Sequence, residues 1–312
     1  MQRDTSMVNR ACQLLPLASL PLLITACGGG DSDNGNMNAQ QEHRVAIQFT
    51  AQANGTEIDC DTLLTGLGLA GTDANLKDFR FYVHDIELLT TSGDAIGLTL
   101  DSNPWQQTDK GIALLDFQNR ADGCGGDVKE THKQVSGTIV RASMDDIQGL
   151  RFKLGLPTHL NHQDQAGATS PLNISSLFWS WQTGYKFMRL DVAPIGGVIR
   201  PTDPAFSSTT YNFHLGSTNC TGSPQLNEDV NCEKSNRPQI ELFNFDPRSN
   251  KLMLDYGTLV AQANLGADGG GPAGCMSGTS DPECGSIFTA LGLDLETGEV
   301  VSDPVQTIFT VE

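Results

Sequence analysis

Short segments in which hydrophobic and polar residues alternate recur along most of this chain. Such alternation is typical of β-strands, because successive side chains of a strand point to opposite faces of its sheet. Clusters of Gly, Asn, Asp and Pro separate the segments, which indicates turns between short strands. The pattern predicts an all-β fold, an antiparallel sandwich or a barrel-like arrangement, and we favour an antiparallel β-sandwich with long loops. The segments that carry the pattern are residues 45–49, 79–89, 150–156, 209–215, 239–243, 252–256 and 305–311.

One segment in the middle of the chain departs from this alternation. Its large apolar residues recur at i, i+4, i+7 and i+11, which is one face of a helix: Ile174, Phe178, Trp181 and Tyr185. A strand would instead place Trp179 and Trp181 on the same face. We predict a single short helix here, with Trp179 lying off its apolar stripe.

The start of the chain has the features of a bacterial lipoprotein signal peptide. Arg3 and Arg10 precede a short apolar run and then small residues, which is the order of a secretory signal. The run is shorter than the stretch of about 20 apolar residues that a membrane-spanning helix needs. Ile24-Thr25-Ala26-Cys27 resembles a lipobox, so residues 1–26 are the predicted signal peptide and Cys27 is the predicted lipidation site. An ordinary signal peptide with an incidental cysteine is the alternative.

The residues after this cysteine separate the signal from the folded domain. Residues 27–43 are rich in Gly, Asn, Asp and Gln and have no apolar periodicity, which predicts a flexible tether. Residues 44–312 then form one folded domain. Gly28, rather than Asp, follows the cysteine, which favours release to the outer membrane. We therefore expect a protein that is lipid-anchored at the outer membrane, on its periplasmic or cell-surface side.

The charge balance excludes one large class of partner. The chain has 37 acidic and 19 basic residues and a formal net charge of -18, which argues against binding to nucleic acid phosphates. Its hydrophobic content of 38% is too high for a disordered chain. The sequence also lacks the G-x-S-x-G, H-E-x-x-H and C-x-x-C-H motifs of hydrolases, zinc proteases and haem attachment. Common catalytic chemistries therefore have no support in the sequence.

The cysteines predict disulfide bonds in the folded domain. Of the eight cysteines, Cys12 lies in the signal peptide and Cys27 is consumed by lipid, which leaves six. An even number in an exported chain favours disulfides, and the absence of C-x-x-C spacing disfavours a zinc site. Six cysteines allow fifteen connectivities, so the pairing stays open. Closing the two shortest loops would give the pairs Cys220–Cys232, Cys275–Cys284 and Cys60–Cys124.

Three of the six histidines are candidates for metal binding. His84 lies inside a strongly apolar strand, His162 leads into the Trp-rich segment, and His214 lies on the non-core face of a predicted strand. Imidazole suits copper or zinc in a compartment where thiols are oxidised. The alternative is that each histidine is structural, with a hydrogen-bond partner of its own.

Several motifs carry a family resemblance. They are Phe-Tyr-Val-His-Asp-Ile at residues 81–86, Leu-Asn-His at 160–162 with Pro-Leu-Asn at 171–173, Phe-Trp-Ser-Trp-Gln-Thr-Gly-Tyr-Lys-Phe-Met-Arg-Leu-Asp at 178–191, and Phe-His-Leu-Gly-Ser-Thr-Asn-Cys at 213–220. With these motifs the chain resembles the MbnP-like copper-binding proteins, also called metallo-mystery-pair four-Cys proteins. The resemblance covers most of the mature chain, but three predicted disulfides exceed the family's four-Cys core.

The resemblance implies a copper site that depends on a modified tryptophan. In such proteins a di-haem cytochrome c peroxidase-like partner (MbnH-like) oxidises a Trp to kynurenine, whose aniline nitrogen joins histidines in holding copper as Cu(I). An intact indole cannot serve, because its nitrogen is a donor only. Carried over to this sequence, the ligand candidates are His84, His162 and His214. The modified residue is Trp179 or Trp181, and Trp179 is preferred because Trp181 fits the predicted helical stripe.

The resemblance and the residues together lead us to expect a copper-binding lipoprotein that stores, buffers or hands on copper and is not itself an enzyme. One alternative is a copper redox or electron-transfer partner of the di-haem protein. Another is a non-metal adhesin or glycan-binding sandwich that uses Trp105, Trp179 and Trp181 as a stacking platform.

Overall fold

The computed structural model of the protein describes residues 40–312, apart from residues 142, 181, 227 and 304. The predicted signal peptide (residues 1–26), the predicted lipidation site Cys27 and Trp181 therefore lie outside the described residues. None of the helices in the described part of the chain has the length and apolar run needed to cross a bilayer.

The described chain is built mainly from short strands. In chain order the strands are β1 (Gln41–Ala53), β2 (Thr56–Glu57), β3 (Leu63–Leu67), β4 (Thr72–Thr90), β5 (Ala95–Gly97), β6 (Thr99–Leu100), β7 (Gln106–Gln107), β8 (Ile112–Asp116), β9 (Gln134–Arg141), β10 (Ile147–Leu154), β11 (Phe178–Ser180), β12 (Gly184–Tyr185), β13 (Met188–Pro194), β14 (Val198–Arg200), β15 (Asp203–Ser208), β16 (Tyr211–Leu215), β17 (Thr218–Thr221), β18 (Asn231–Lys234), β19 (Gln239–Phe243), β20 (Lys251–Asp255), β21 (Gly274–Cys275) and β22 (Phe309–Val311). The α-helices are α1 (Thr158–Asn161), α2 (Tyr256–Leu259) and α3 (Cys284–Ala290), and short 3-10 turns span Asp122–Cys124, Ser175–Leu177 and Pro224–Leu226.

Most of these strands belong to two mixed sheets. Within the described residues, one sheet has six strands in the order β22-β20-β1-β9-β6, with β2 added to β1. The other has ten strands in the order β19-β10-β4-β13-β16-β21, with β3, β5 and β8 on β4 and β7 on β8. The pairs β1–β20 and β16–β21 are parallel, and the other pairs in these sheets are antiparallel. The hairpins β11–β12, β14–β15 and β17–β18 lie outside both sheets.

Aromatic side chains from the two sheets interlock to form the core. Phe49 of the six-stranded sheet contacts Phe81 and Phe152 of the ten-stranded sheet edge to face, with ring centroids 6.1 and 6.0 Å apart. Phe309 reaches the same two rings from the six-stranded sheet, at 5.9 and 5.4 Å. Such edge-to-face pairs fill the space between sheets at native density. The predicted all-β sandwich is confirmed, as a mixed rather than purely antiparallel one.

Three disulfides lie among the described residues, one across 64 residues and two that close loops of 12 and 9 residues. Their pairing is the one that closes the shortest loops: Cys60–Cys124, Cys220–Cys232 and Cys275–Cys284.

The boundary of the folded domain lies slightly earlier than predicted. Strand β1 begins at Gln41 and pairs with β9 from its first residue, so residues 41–43 of the predicted tether are part of the sheet. Their polar side chains carry no strand signal, because pairing uses the backbone N–H and C=O groups.

The helix predicted over the Trp-rich segment is wrong. Residues Ser175–Leu177 form a 3-10 turn, and β11 and β12 then form a hairpin in which Phe178 pairs with Tyr185. The two rings contact each other with centroids 4.9 Å apart. A seven-residue spacing of apolar residues is satisfied by this cross-strand pair as well as by a helical face, so the spacing alone does not distinguish them.

Candidate metal centre

The ten-stranded sheet has a second buried face, opposite the aromatic core. Alternation along β4 places Arg80, Tyr82 and His84 on this face, and all three are buried. Residues 157–187, which we call the covering segment, pack over it. Within this segment, the carbonyl of Pro171 accepts a hydrogen bond from the Tyr82 hydroxyl at 2.8 Å, and Ser176 Oγ accepts one from Arg80 at 2.9 Å. The covering segment carries His162 and Trp179, so it brings candidate residues over a sheet face that carries others.

A chain of alternating charges crosses this face and ends at His214. Arg80, Arg189 and His214 lie opposite one another on β4, β13 and β16. Arg80 pairs with Asp78, and Arg189 bridges Asp78 at 3.0 Å and Asp191 at 2.6 Å. The Oδ1 atom of Asp191 then lies 2.8 Å from His214 Nε2. Each buried charge is therefore paired, as burial requires.

The charge chain fixes the state of the His214 ring. Burial lowers the pKa of His214, although the hydrogen bond to Asp191 opposes this, so the imidazole is neutral at neutral pH. Burial alone would raise the pKa of Asp191, but the hydrogen bonds from His214 and Arg189 outweigh it and the pKa is lowered. The ionised Asp191 accepts a hydrogen bond from Nε2–H of His214, so the lone pair of the neutral ring is on Nδ1. In metal sites, a histidine ligand commonly donates its other ring N–H to a carboxylate that orients it in this way.

His84 is buried without the partners that a structural histidine needs. Its exposed fraction is 3%, and neither ring nitrogen makes a hydrogen bond to any described residue. The nearest charged group is Asp85, whose Oδ1 lies 3.3 Å from Nδ1 and which also pairs with Lys153 at 3.0 Å. Burial lowers the pKa of His84 to about 4, so the ring is neutral and keeps a lone pair. Unpaired buried polar atoms are rare, which makes this ring a candidate ligand.

His162 follows helix α1 in the covering segment and has a different environment. Its Nε2 lies 3.1 Å from Asn161 Nδ2 and 3.4 Å from the Sγ of Cys232. Asn161 is itself fixed, because its Oδ1 accepts a hydrogen bond from the backbone N–H of Tyr185 at 2.9 Å. The amide therefore presents its NH₂ group to His162, and Nε2 is the acceptor.

Trp179, on strand β11, lies beside His214. The centroids of the two rings are 6.3 Å apart, and the planes are tilted by 52°. The six-membered part of the indole packs directly on Gly216, where a Cβ atom would lie 2.4 Å from Trp179 Cζ3. A glycine at this position is therefore needed for the indole to reach the histidine.

The structure brings some of the predicted site residues together and leaves others apart. Trp179 and His214 are neighbours, and His84 lies on the same sheet face, about 13 Å along β4 from the row that contains His214. Among the described residues, one group of three His, Cys, Asp or Glu side chains has its ligand atoms within 4.8 Å of one another, namely His162, Cys220 and Cys232. The three histidines thus do not converge on one point in this conformation.

Sequence reasoning missed the residues that orient these rings. Asp191 lies between Leu190 and Val192, Asn161 follows Leu160, and both polar residues are buried. A buried polar residue inside an apolar strand or turn is a usable signal, because it needs a partner. The partners themselves, on other strands, were not predictable from spacing.

Comparison with known proteins gives consistent matches. A family model described as MbnP matches residues 42–277. The solved structure of MbnP from Methylosinus trichosporium superposes with a TM-score of 0.79 and 32% sequence identity, covering 87% of this chain and 98% of that one. A search of curated proteins found no match.

Proposed function

Because this chain belongs to the MbnP family, we propose that it is an exported lipoprotein that binds one copper ion through histidines and a tryptophan-derived kynurenine. Its role is to store, buffer or hand on copper. It catalyses no reaction itself, and its tryptophan is the substrate of a di-haem peroxidase-like partner. The anchor is the lipid on Cys27 at the outer membrane.

The observation that carries the proposal is the position of Trp179 beside His214. The imidazole is oriented by Asp191 through Nε2, which leaves its Nδ1 lone pair for a metal. The indole next to it has no lone pair to offer. Converting that one ring into an aryl amine would place a nitrogen ligand next to an oriented imidazole. This supports Trp179 as the modified residue.

The conversion has a defined chemical balance. Two molecules of hydrogen peroxide, used through the partner's haems, deliver two oxygen atoms to the C2–C3 bond of the indole and leave as two molecules of water. The product, N-formylkynurenine, adds water and releases formate, which leaves kynurenine with a free aryl amine. The reaction opens the five-membered ring of the indole and leaves the six-membered ring, which packs on Gly216, intact. We expect this loss of rigidity to let the covering segment move relative to the sheet.

The donor set present in the chain suits copper. Both His84 and His214 are neutral because burial lowers the pKa of each ring. His84 also has no competing hydrogen bond from the described residues. Neutral imidazoles are good ligands for copper, and together with an aryl amine they add no charge to a cation such as Cu(I). His162 is the third candidate, and its convergence with the other two requires a shift of the covering segment that carries it.

The experiment that tests the proposal is metal analysis of the disulfide-intact protein purified from its native host. We expect near-stoichiometric copper by plasma mass spectrometry and a kynurenine at residue 179 by peptide mass. Copper-free protein that contains the kynurenine and stays empty after Cu(I) loading would refute copper binding. Intact tryptophans together with bound copper would refute the dependence on modification.

Single substitutions then assign the ligands. His84→Ala, His162→Ala and His214→Ala should each lower copper occupancy. His159→Ala is the matched control, because His159 lies on the same short helix as the residues before His162 but is exposed. Full occupancy in all three test variants would exclude these histidines as ligands.

The anchor is tested separately by cell fractionation. A Cys27→Ser variant should move from the membrane fraction to the soluble periplasmic or secreted fraction. A variant that stays with the membranes would contradict lipidation at Cys27.

A further inference from the structure

A second cluster of metal-ligand atoms lies at one of the disulfides. The ligand atoms of His162, Cys220 and Cys232 all lie within 4.8 Å of one another. The closest approach to the imidazole is 3.4 Å, between His162 Nε2 and Cys232 Sγ. While the disulfide is closed its sulfurs are not thiolates, and the cluster is not a metal site. Opening the disulfide would give two thiols, which can lose their protons and bind a metal.

This disulfide is the most accessible of those in the described residues. Cys220 and Cys232 are both half-buried, on the hairpin β17–β18 outside the two sheets. By contrast, Cys275 and Cys284 are fully buried, and of the pair Cys60–Cys124 only Cys124 is half-buried, since Cys60 is 2% exposed. Exposed disulfides are the ones that thiol reductants reach and open first. A mild reductant should therefore open Cys220–Cys232 before the other two.

The hairpin has contacts that hold it in place without the disulfide. Strand pairing sets Cys220 directly opposite Cys232. At the base of the hairpin, Asn236 Nδ2 donates hydrogen bonds to Gly216 O at 2.8 Å and to Thr218 Oγ1 at 3.2 Å. The Ser217 hydroxyl donates to Ser235 O at 3.0 Å. These bonds keep the two cysteines facing each other after reduction.

His162 is oriented toward the sulfurs by the contact described above. Asn161 presents its NH₂ group to Nε2, so the lone pair of His162 is on the nitrogen that lies near Cys232. A metal ion bound at Nε2 replaces this hydrogen bond from Asn161. Metal–sulfur bonds of about 2.3 Å and metal–nitrogen bonds of about 2.0 Å allow ligand atoms around one ion to lie up to about 4.6 Å apart. All present separations lie within 4.8 Å, and Nε2 is 3.4 Å from Cys232 Sγ. The two sulfurs are bonded to each other now, so they must move apart after reduction to bind one ion.

We propose that reduction of Cys220–Cys232 creates a second, redox-gated metal site, in which the two thiolates and His162 Nε2 bind one soft cation, Cu(I). A dithiol reductant supplies two electrons and two protons, the S–S bond breaks to give two thiols, and the reductant becomes a disulfide. Cu(I) then replaces the two thiol protons. Two thiolates and one imidazole form a soft three-ligand set that suits Cu(I), whereas structural zinc requires a fourth protein ligand.

This site shares His162 with the proposed kynurenine site but needs neither the kynurenine nor the partner. Reduction of the Cys220–Cys232 disulfide would then change which residues of the protein hold copper. Because the two sites differ in their requirement for modification, they are separable by experiment.

The test uses full-length protein produced without the di-haem partner, with both tryptophans of the 178–191 motif shown to be intact by peptide mass. The protein is treated with a mild dithiol, which is then removed. Peptide mapping verifies that Cys220–Cys232 alone has opened. Cu(I) uptake is measured by competition with a chromophoric Cu(I) chelator. We expect one Cu(I) per chain in the reduced form and none in the oxidised form, with sulfur and nitrogen neighbours of copper in X-ray absorption.

Variants identify the ligands. Cys220→Ser with Cys232→Ser should abolish uptake, and alkylation of the two thiols in the reduced wild type gives the same control if that variant folds poorly. His162→Ala should weaken affinity by at least about tenfold, since loss of even an outer partner has that effect in metal sites. His159→Ala should leave the affinity unchanged.

Three results would overturn the proposal: no uptake on reduction, uptake that survives alkylation, or an affinity and spectrum in His162→Ala that match the wild type. Each leaves the proposed kynurenine site untouched, because the tested protein lacks kynurenine. Conversely, native protein that contains the kynurenine and stays copper-free after Cu(I) loading would refute the kynurenine site without affecting this one.

Discussion

Replacing Gly216 with alanine tests the packing that places Trp179 beside His214. A Cβ atom at this position would lie 2.4 Å from Trp179 Cζ3 and 2.9 Å from the carbonyl oxygen of Tyr185. Ordinary contacts begin at 3.4 Å, so the indole must retreat by about 1 Å. Tyr185 cannot yield instead, because its N–H is bound to Asn161 and its hydroxyl to the Leu172 carbonyl at 2.7 Å.

The expected cost of Gly216→Ala is about 1–3 kcal/mol of unfolding free energy, the range found when a methyl group is forced into a packed site. Urea denaturation of protein with intact Trp179 measures it. Gly97→Ala is the matched control, because a Cβ there meets no described atom within 4 Å and the position is exposed. We expect the control to change stability by less than about 0.5 kcal/mol. In the presence of the partner, Gly216→Ala should also reduce kynurenine formation and copper content.

A double-mutant cycle shows whether the indole is responsible. In a Trp179→Ala background the clash with Cζ3 disappears, so Gly216→Ala should cost less than half of its original value. If the cost is unchanged in that background, the carbonyl of Tyr185 causes it, and the argument that Gly216 positions Trp179 is refuted.

Three further predictions concern the charge chain, an acidic pair and a disulfide. Asp191→Ala should lower the unfolding free energy by about 1–3 kcal/mol, because it removes the hydrogen-bond acceptor of the buried His214 and leaves Arg80 and the half-buried Arg189 to share Asp78. The exposed Asp109→Ala should have little effect in the same urea assay. Burial, with Asp281 and Asp268 nearby, raises the pKa of Glu283 from 4.5 to about 7. The protonated carboxyl therefore stabilises the folded state fully below pH 4.5, and this stabilisation is lost as the pH rises through about 7. The unfolding temperature of Glu283→Gln relative to wild type should therefore rise between pH 5 and pH 8, and a constant difference would contradict the raised pKa. Replacing Cys60 and Cys124 by serine opens a link across 64 residues and should lower the unfolding free energy by about 4 kcal/mol. Loss of Cys275–Cys284, which spans 9 residues, should lower it by less. The reverse order in urea denaturation would contradict the explanation by loop entropy.

The strands of the sandwich were predictable because their signal is local. The alternating segments at 79–89, 239–243 and 252–256 correspond to β4, β19 and β20, whose side chains alternate between core and exterior or between two buried faces. Alternation is a property of neighbouring residues, so it survives in the sequence. The parallel pairing of β1 with β20 was not predictable, because it joins residues about two hundred positions apart.

The candidate site was predictable only in part. Sequence motifs selected His84, His214 and Trp179, and the structure places Trp179 next to His214. The hairpin at β11–β12 was predicted as a helix, since Phe178 and Tyr185 meet across strands at a spacing that a helix also produces. The charge chain that orients His214 was missed because its members come from β4, β13 and β16, and only the sheet brings them into one row.

The two faces of the ten-stranded sheet divide the work of the molecule. Aromatic packing against the six-stranded sheet holds the fold on one face, while His84, His214 and Trp179 lie on the other. Small zinc domains unfold when they lose their ion, because the metal is their core. Here the sheets and disulfides form the fold without a metal ion, so we expect the metal-free protein to remain folded. A bound ion would then raise stability only by mass action, about 2.7 kcal/mol at a free concentration one hundred times its dissociation constant. Under the proposed copper-binding function, the ion would therefore be released and bound again without refolding.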